Sequence, residues 1–148
     1  MRAGTLYGVS VGPGDPELMT VKAVRVIREA DVVALPDAGG TELTAASIAG
    51  GLLQGKERLL CPTPMSRDRD AVRAAHEATA DQICALLDGG KAVAYLCLGD
   101  ISLYSSFSYV CDVVRGRGYA TQVVPGVTSL SAAAATLGVA HNGVYSSI

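Results

Sequence analysis

The chain has 148 residues, enough for one ordinary domain, and 49% of them are hydrophobic. With no Trp, one Phe and a net charge of −2, its core must be built from Ala, Val, Leu and Ile, and it lacks the broad basic surface expected of a nucleic-acid partner. The longest weakly polar run, residues 123–140, contains Pro, Gly, Ser and Thr and is too polar to span a bilayer, so no membrane association is expected.

The four cysteines stand at 61, 84, 97 and 111, without a C-x-x-C pair, and there are two histidines, so no metal site is expected. Cys61 and Cys97 fall in apolar runs and read as buried free thiols, which fits a cytoplasmic location. The first residues do not form a signal peptide, because Gly, Ser and Pro interrupt the apolar run and Asp15 and Glu17 follow at once.

Residues 5–11 read as a first strand, ending in Gly12-Pro-Gly-Asp-Pro-Glu17. The glycine spacing is neither G-x-G-x-x-G nor a P-loop. A proline-stiffened turn at a strand's carboxyl end can line a ligand crevice or serve only as a turn. Thr20 can cap a helix whose Ala23, Val26, Ile27 and Ala30 share one face. Residues 31–35 form a second strand, Gly39-Gly40 a loop, 43–53 a weak helix and 58–61 a third strand.

The loop at 62–70 carries Arg67 and Arg69 among Asp68 and Asp70, with Asp or Ser as cap for the next helix. That helix covers 71–87, with Val72, Ala75, Thr79, Ile83 and Leu86 as its buried stripe and a partly exposed His76 beside it. Residues 91–98 are a central strand that stops at Gly99-Asp100. In an open α/β sheet that edge is where ligands bind, Gly99 permits close backbone approach and Asp100 can meet a cationic group; the same residues also read as a tight strand-to-helix turn with Asp100 as a cap. A helix at 105–117, a strand at 120–124, a turn from Pro125 and a small-residue helix at 131–137 closed by Gly138 complete the pattern.

Strand and helix alternate five times. The fold expected is α/β, an open, mostly parallel sheet of about five strands with flanking helices. The turns at Gly12, Gly99 and Pro125 should converge on one edge of that sheet.

Three segments carry a resemblance. Val9-Ser-Val-Gly-Pro-Gly-Asp-Pro-Glu-Leu-Met-Thr-Val-Lys-Ala23, Gly99-Asp-Ile-Ser-Leu-Tyr-Ser-Ser-Phe-Ser-Tyr109 and Val124-Pro-Gly-Val-Thr-Ser129 resemble the ordered motifs of the tetrapyrrole (corrin/porphyrin) methylases. Pro64-Met-Ser-Arg-Asp68 and the Tyr-Ser-Ser-Phe-Ser-Tyr run resemble the precorrin-2 C20-methyltransferase branch of that family. Many members have Pro where this chain has Ile101, a position that is permissive if the loop binds through its backbone.

The resemblance implies S-adenosylmethionine as methyl donor, a reduced tetrapyrrole as acceptor, and methylation of precorrin-2 or its cobalt form at C20 in cobalamin biosynthesis. It implies that Gly99, Asp100, Ile101 and Tyr104 hold the methionine end of the cofactor, that Thr128 and Ser129 meet its nucleoside side, and that Pro13 lines the crevice floor. Arg67 and Arg69 are the candidate partners of the tetrapyrrole carboxylates. No catalytic base is implied, since positioning of two ligands and exclusion of water can carry such a transfer. A homodimer is expected.

The family's architecture has two domains. Residues 1–138 therefore read as the N-terminal domain alone, residues 139–148 as an irregular tail at the domain junction, and the second domain as absent. Another tetrapyrrole methylase, a diphthine synthase relative, and a non-catalytic binding or dimerisation module are the alternative readings.

Overall fold

In the computed structural model, residues 2–37, 44–64, 66–101 and 106–138 are described. Tyr104, the Gly39-Gly40 loop, Leu43, Ser105 and the tail at 139–148 lie outside those residues. Five strands, β1 (Thr5–Ser10), β2 (Val32–Asp37), β3 (Glu57–Pro62), β4 (Val93–Cys97) and β5 (Ala120–Val124), form one parallel sheet in the order β3-β2-β4-β1-β5. The connecting helices are α1 (Val21–Glu29), α2 (Ala45–Ala49), α3 (Arg69–Asp88) and α4 (Phe107–Gly116), and α5 (Ser129–Leu137) follows β5. The expected architecture is present, with the turns at Gly12, Gly99 and Pro125 at the carboxyl ends of β1, β4 and β5, on one edge of the sheet.

Apolar burial divides into two layers. Ala23, Val26 and Ile27 of α1 pack with Ala45, Ile48 and Ala49 of α2 against Val9, Val33, Ala94 and Leu96 on one face of the sheet. Ile83, Leu87, Val110 and Val114 of α3 and α4 pack against Leu6, Val32, Val93 and Tyr95 on the other. Strands covered on both faces carry continuous apolar runs, which is why β4 is buried at every residue. Tyr95 is fully buried, and its hydroxyl lies 3.0 Å from Ser106 Oγ, so the ring joins the core without an orphaned oxygen.

Local chemistry sets the element ends. Thr20 Oγ1 accepts Ala23 N–H at 3.0 Å and starts α1; Lys56 Nζ donates to the carbonyls of Arg28 and Ala30 at 2.8 and 2.7 Å, placing a cation on the last turn. Asp68 Oδ1 accepts Asp70 N–H and Ala71 N–H, so α3 begins at Arg69 rather than at residue 71. Thr128 Oγ1 accepts Ser131 N–H at 3.0 Å, so α5 begins at Ser129 rather than at residue 131. The weak helix at 43–53 is shorter than expected: α2 ends at Ala49 and a 3-10 turn over Gly50–Leu53 follows, with Gly50 at φ 49°.

The buried stripe of α3 differs from the expected one. His76, Thr79, Ala80, Ile83, Cys84 and Leu87 face inward, while Val72, Ala75 and Leu86 are only half-buried. The helix is rotated by about one residue, roughly 100°, because it must cover α4 as well as the sheet. His76 is accordingly buried, stacked parallel to Tyr109 of α4 with ring centroids 5.4 Å apart, and not partly exposed.

Candidate functional site

Adjacent strands β1 and β4 send their chains to opposite faces of the sheet, β1 into α1 and β4 into α4. A crevice opens outside the carboxyl ends of such a strand pair. The topology puts that switch point at Gly12 and Gly99, whose backbones meet in an antiparallel bridge, Gly99 N–H donating to Gly12 O at 2.8 Å. Gly99 has φ 64°, a left-handed conformation that favours glycine, and no described atom lies within 4 Å of where its Cβ would stand. Among the described residues, none packs against that side of Gly99.

The third turn locks onto the first two. A Cβ on Gly126 would stand 2.5 Å from Ser10 Cβ and 2.8 Å from Gly99 O, so only glycine lets the turn after β5 approach this closely. Ser10 is fully buried, and its hydroxyl accepts Ile101 N–H at 2.9 Å. One serine at the end of β1 thus contacts both neighbouring turns. The Ile101 side chain points the other way, into the core: a Cβ on Gly8 would lie 2.7 Å from Ile101 Cδ1.

Of the expected site residues, Pro13, Gly99, Asp100, Ile101, Thr128 and Ser129 stand at this one edge, in the turns after β1, β4 and β5. The Thr128 hydroxyl is engaged as the cap of α5, bonding Ser131 N–H and Ser131 Oγ. Pro13 lines a second space, an open groove of ≈ 770 Å³ between the β1 turn and α5, with Asp15, Leu18, Val127 and Ser131. Arg67 lies just before α3 and Arg69 is its first residue; Arg69 lines a cleft of ≈ 630 Å³ between α3 and α4, and Arg67 is not among that cleft's lining residues. Tyr104 lies outside the described residues.

Residue-by-residue reading missed Ser10 and Gly126. Both stand inside quoted motifs, but a serine in an apolar strand and a glycine after a proline give no signal of mutual contact. Among the described residues, the candidate site is poor in reactive groups. Cys61 is buried, and desolvation pushes its thiol up to about 11, out of reach as a nucleophile at neutral pH. Among the described residues, no cluster of His, Cys, Asp and Glu is arranged to hold a metal ion, and no helix is long and apolar enough to cross a membrane. The arrangement suits binding through backbone groups in a preformed crevice.

The chain is 41% identical over 143 residues to the cobalamin biosynthesis protein CobIJ of Mycobacterium tuberculosis (strain ATCC 25618 / H37Rv), covering 90% of this chain and 28% of that protein. It is 34% identical over 134 residues to the cobalt-precorrin-2 C(20)-methyltransferase of Salmonella typhimurium, covering 89% of this chain and 56% of the enzyme. The solved structure of a cobalt precorrin-4 methyltransferase, CbiF, superimposes with a TM-score of 0.70 at 28% identity, over 90% of this chain and 50% of that one. The chain thus spans between about a quarter and somewhat more than half the length of the relatives it matches. The family model for the tetrapyrrole (corrin/porphyrin) methylases matches residues 5–147, and the chain belongs to that family.

Proposed function

We propose that this chain supplies the cofactor-binding half of an S-adenosylmethionine-dependent methyltransferase of cobalamin biosynthesis, acting on C20 of precorrin-2 or its cobalt form. The observation that carries the reading is the meeting of three turns, at Gly12, Gly99 and Gly126, on one edge of the sheet, with no described atom within 4 Å of where a Cβ on Gly99 would stand. The cofactor supplies an electrophilic sulfonium methyl for transfer to an electron-rich carbon. Toward that group, the turn from Gly99 through Ile101, whose Gly99 and Ile101 N–H groups are taken by Gly12 and Ser10, offers carbonyl oxygens and the Asp100 carboxylate, suited to an α-amino group. Ser10 holds the turn in place by taking up Ile101 N–H. Thr128, Ser129 and Pro13 flank the crevice from the neighbouring turns. These residues bind, orient and exclude water; the acceptor carbon needs no strong base from the protein.

The C20 assignment draws on the Salmonella relative's name and on the loop at 62–70. Similarity to a cobalt precorrin-4 methyltransferase structure favours, as a second reading, transfer to another carbon of the macrocycle. Residues 1–138 act as the N-terminal domain, with residues 139–148 leading to a second domain that closes the crevice and brings the rest of the substrate site. The exposed apolar side chains of α5, Leu130 and Leu137, are 67% and 70% accessible and suit burial by further protein, in the same chain or in a homodimer. The setting proposed is cytoplasmic.

The test is calorimetric titration with S-adenosylmethionine and a methylation assay with precorrin-2, on this chain and on a two-domain version. We expect weak cofactor binding and no turnover from the 148 residues, and tight binding with C20 methylation from the longer protein. Micromolar binding with turnover by the short chain would refute the two-domain requirement. Weak binding by both would remove the methyltransferase reading, and product methylated elsewhere would select the second reading.

A further inference from the structure

The cleft between the first turns of α3 and α4 is separate from the three-turn crevice but opens at the same end of the molecule, since both helices start from carboxyl ends of strands. Its chemistry is unusual for a helix–helix groove. His76 is 7% exposed and lines the cleft, yet its imidazole makes no hydrogen bond among the described residues; it stacks on the Tyr109 ring. Tyr109 is 66% exposed, so the ring face turned away from His76 is accessible. Arg69 and Arg73, one turn apart on α3, line the same space, and neither has a carboxylate within 4.0 Å among the described residues.

The nearby carboxylates do not cancel this charge equally. Asp68 is occupied by the N–H groups of Asp70 and Ala71, and Asp112 pairs with Arg115 at 3.9 Å. Glu77 lines the cleft one turn beyond Arg73 and next to His76, so Arg69, two turns away at the helix start, is the guanidinium furthest from it. The end nearest the sheet edge therefore holds two guanidinium forks and a helix N-terminus, beside an imidazole that has a hydrogen bond to give.

We propose that this cleft is a carboxylate subsite that takes an acidic arm of a polycarboxylate ligand: Arg69 and Arg73 engage the carboxylate, His76 donates to it, and the open face of Tyr109 covers the ligand's apolar edge. Bidentate guanidinium–carboxylate pairing and stacking on an exposed ring match that ligand class. The identification of the ligand as a tetrapyrrole rests on the methyltransferase reading; the carboxylate chemistry does not. The subsite assigns roles to Arg73, His76 and Tyr109 and separates Arg69 from Arg67, which does not line the cleft.

The test uses the 148-residue chain, wild type and Arg69→Gln/Arg73→Gln, titrated separately with uroporphyrin III and with citrate while the His76 imidazole resonances are followed by NMR. A carboxylate arriving beside His76 favours its protonated form, so uroporphyrin is expected to move those resonances and raise the pH at which His76 titrates. The double variant should bind about tenfold more weakly or worse with an unchanged melting temperature, since both side chains are exposed. If it melts lower, Arg69→Lys/Arg73→Lys, which keeps the charge and loses the forks, takes its place and must also bind more weakly. An equal response to citrate would support the carboxylate site and assign it to small polycarboxylates rather than a macrocycle arm. Silent His76 resonances under both ligands, or equal affinity in the variants, would overturn the proposal. S-adenosylmethionine titrated in parallel into a two-domain version separates the two readings: a cofactor response there with silent His76 in the 148-residue chain ends only the subsite, and no cofactor response there beside a responding His76 ends only the methyltransferase reading.

Discussion

Ser10 and Ile101 are 91 residues apart in sequence and joined by one buried hydrogen bond, the Ser10 hydroxyl accepting Ile101 N–H at 2.9 Å. That bond ties the turn after β4 to the end of β1. Ser10→Ala leaves the amide without its partner, at a cost of about 1–3 kcal/mol. The expected outcome is a lower urea midpoint together with a larger loss of S-adenosylmethionine affinity in a two-domain protein. Unchanged affinity at reduced stability would make Ser10 a core residue and nothing more.

Gly126 and Gly116 should respond in opposite ways to alanine. Gly126→Ala drives a methyl group into Ser10 and the Gly99 carbonyl, an overpacking that costs about 1–3 kcal/mol and pushes two turns apart. Gly116 ends α4, and no described atom lies within 4 Å of where a methyl group would stand there, so Gly116→Ala should stabilise by about 0.4–1 kcal/mol through the unfolded state. Chemical denaturation of the two variants side by side checks the contrast; equal destabilisation would contradict the packing argument.

Asp100 belongs to the same turn as Gly99 and Ile101. Asp100→Ala in a two-domain protein is expected to weaken cofactor binding more than it lowers the melting temperature. Intact titration curves with a large loss of stability would identify the carboxylate as a turn residue instead.

Thr79 is 1% exposed on α3, and its hydroxyl is the one buried side-chain polar atom without a partner among the described residues. Thr79→Val replaces that hydroxyl with a methyl group of similar shape and should be neutral or stabilising by about 1 kcal/mol. A clear loss of stability on denaturation would mean that the hydroxyl is bonded in solution.

Burial lowers the pKa of His76 below its ordinary 6.5. The folded state then binds fewer protons than the unfolded chain in the interval below 6.5, so this group's contribution is complete above that pH and is lost as pH falls through the lowered value. The charged groups that share its cleft are Arg69 and Arg73 on the one hand and Glu77 and Asp112 on the other. Thermal melts of the wild type and His76→Phe between pH 5 and pH 8 should diverge on the acid side, the wild type losing more; parallel curves would show that the imidazole is not held neutral.

The alternation of apolar runs with amphipathic segments determined the parallel α/β sheet, and glycine and proline at strand ends placed three turns on one edge. These are local signals, because burial on both faces of a strand leaves its mark residue by residue. The cap at Thr20 was legible for the same reason, a side chain bonding backbone within three residues of itself, whereas for α3 the sequence offered an Asp or a Ser and the structure selects Asp68. What tertiary structure alone decided is who meets whom. The order β3-β2-β4-β1-β5 sets β1 between β4 and β5, and only that order lets Ser10 touch both Ile101 and Gly126. Periodicity found the helix α3 but not its rotation, since the stripe it buries answers to α4 as well as to the sheet; His76 came to rest against Tyr109 for that reason. Strand order and helix rotation are settled by contacts between residues far apart in the chain, and no single segment carries that information.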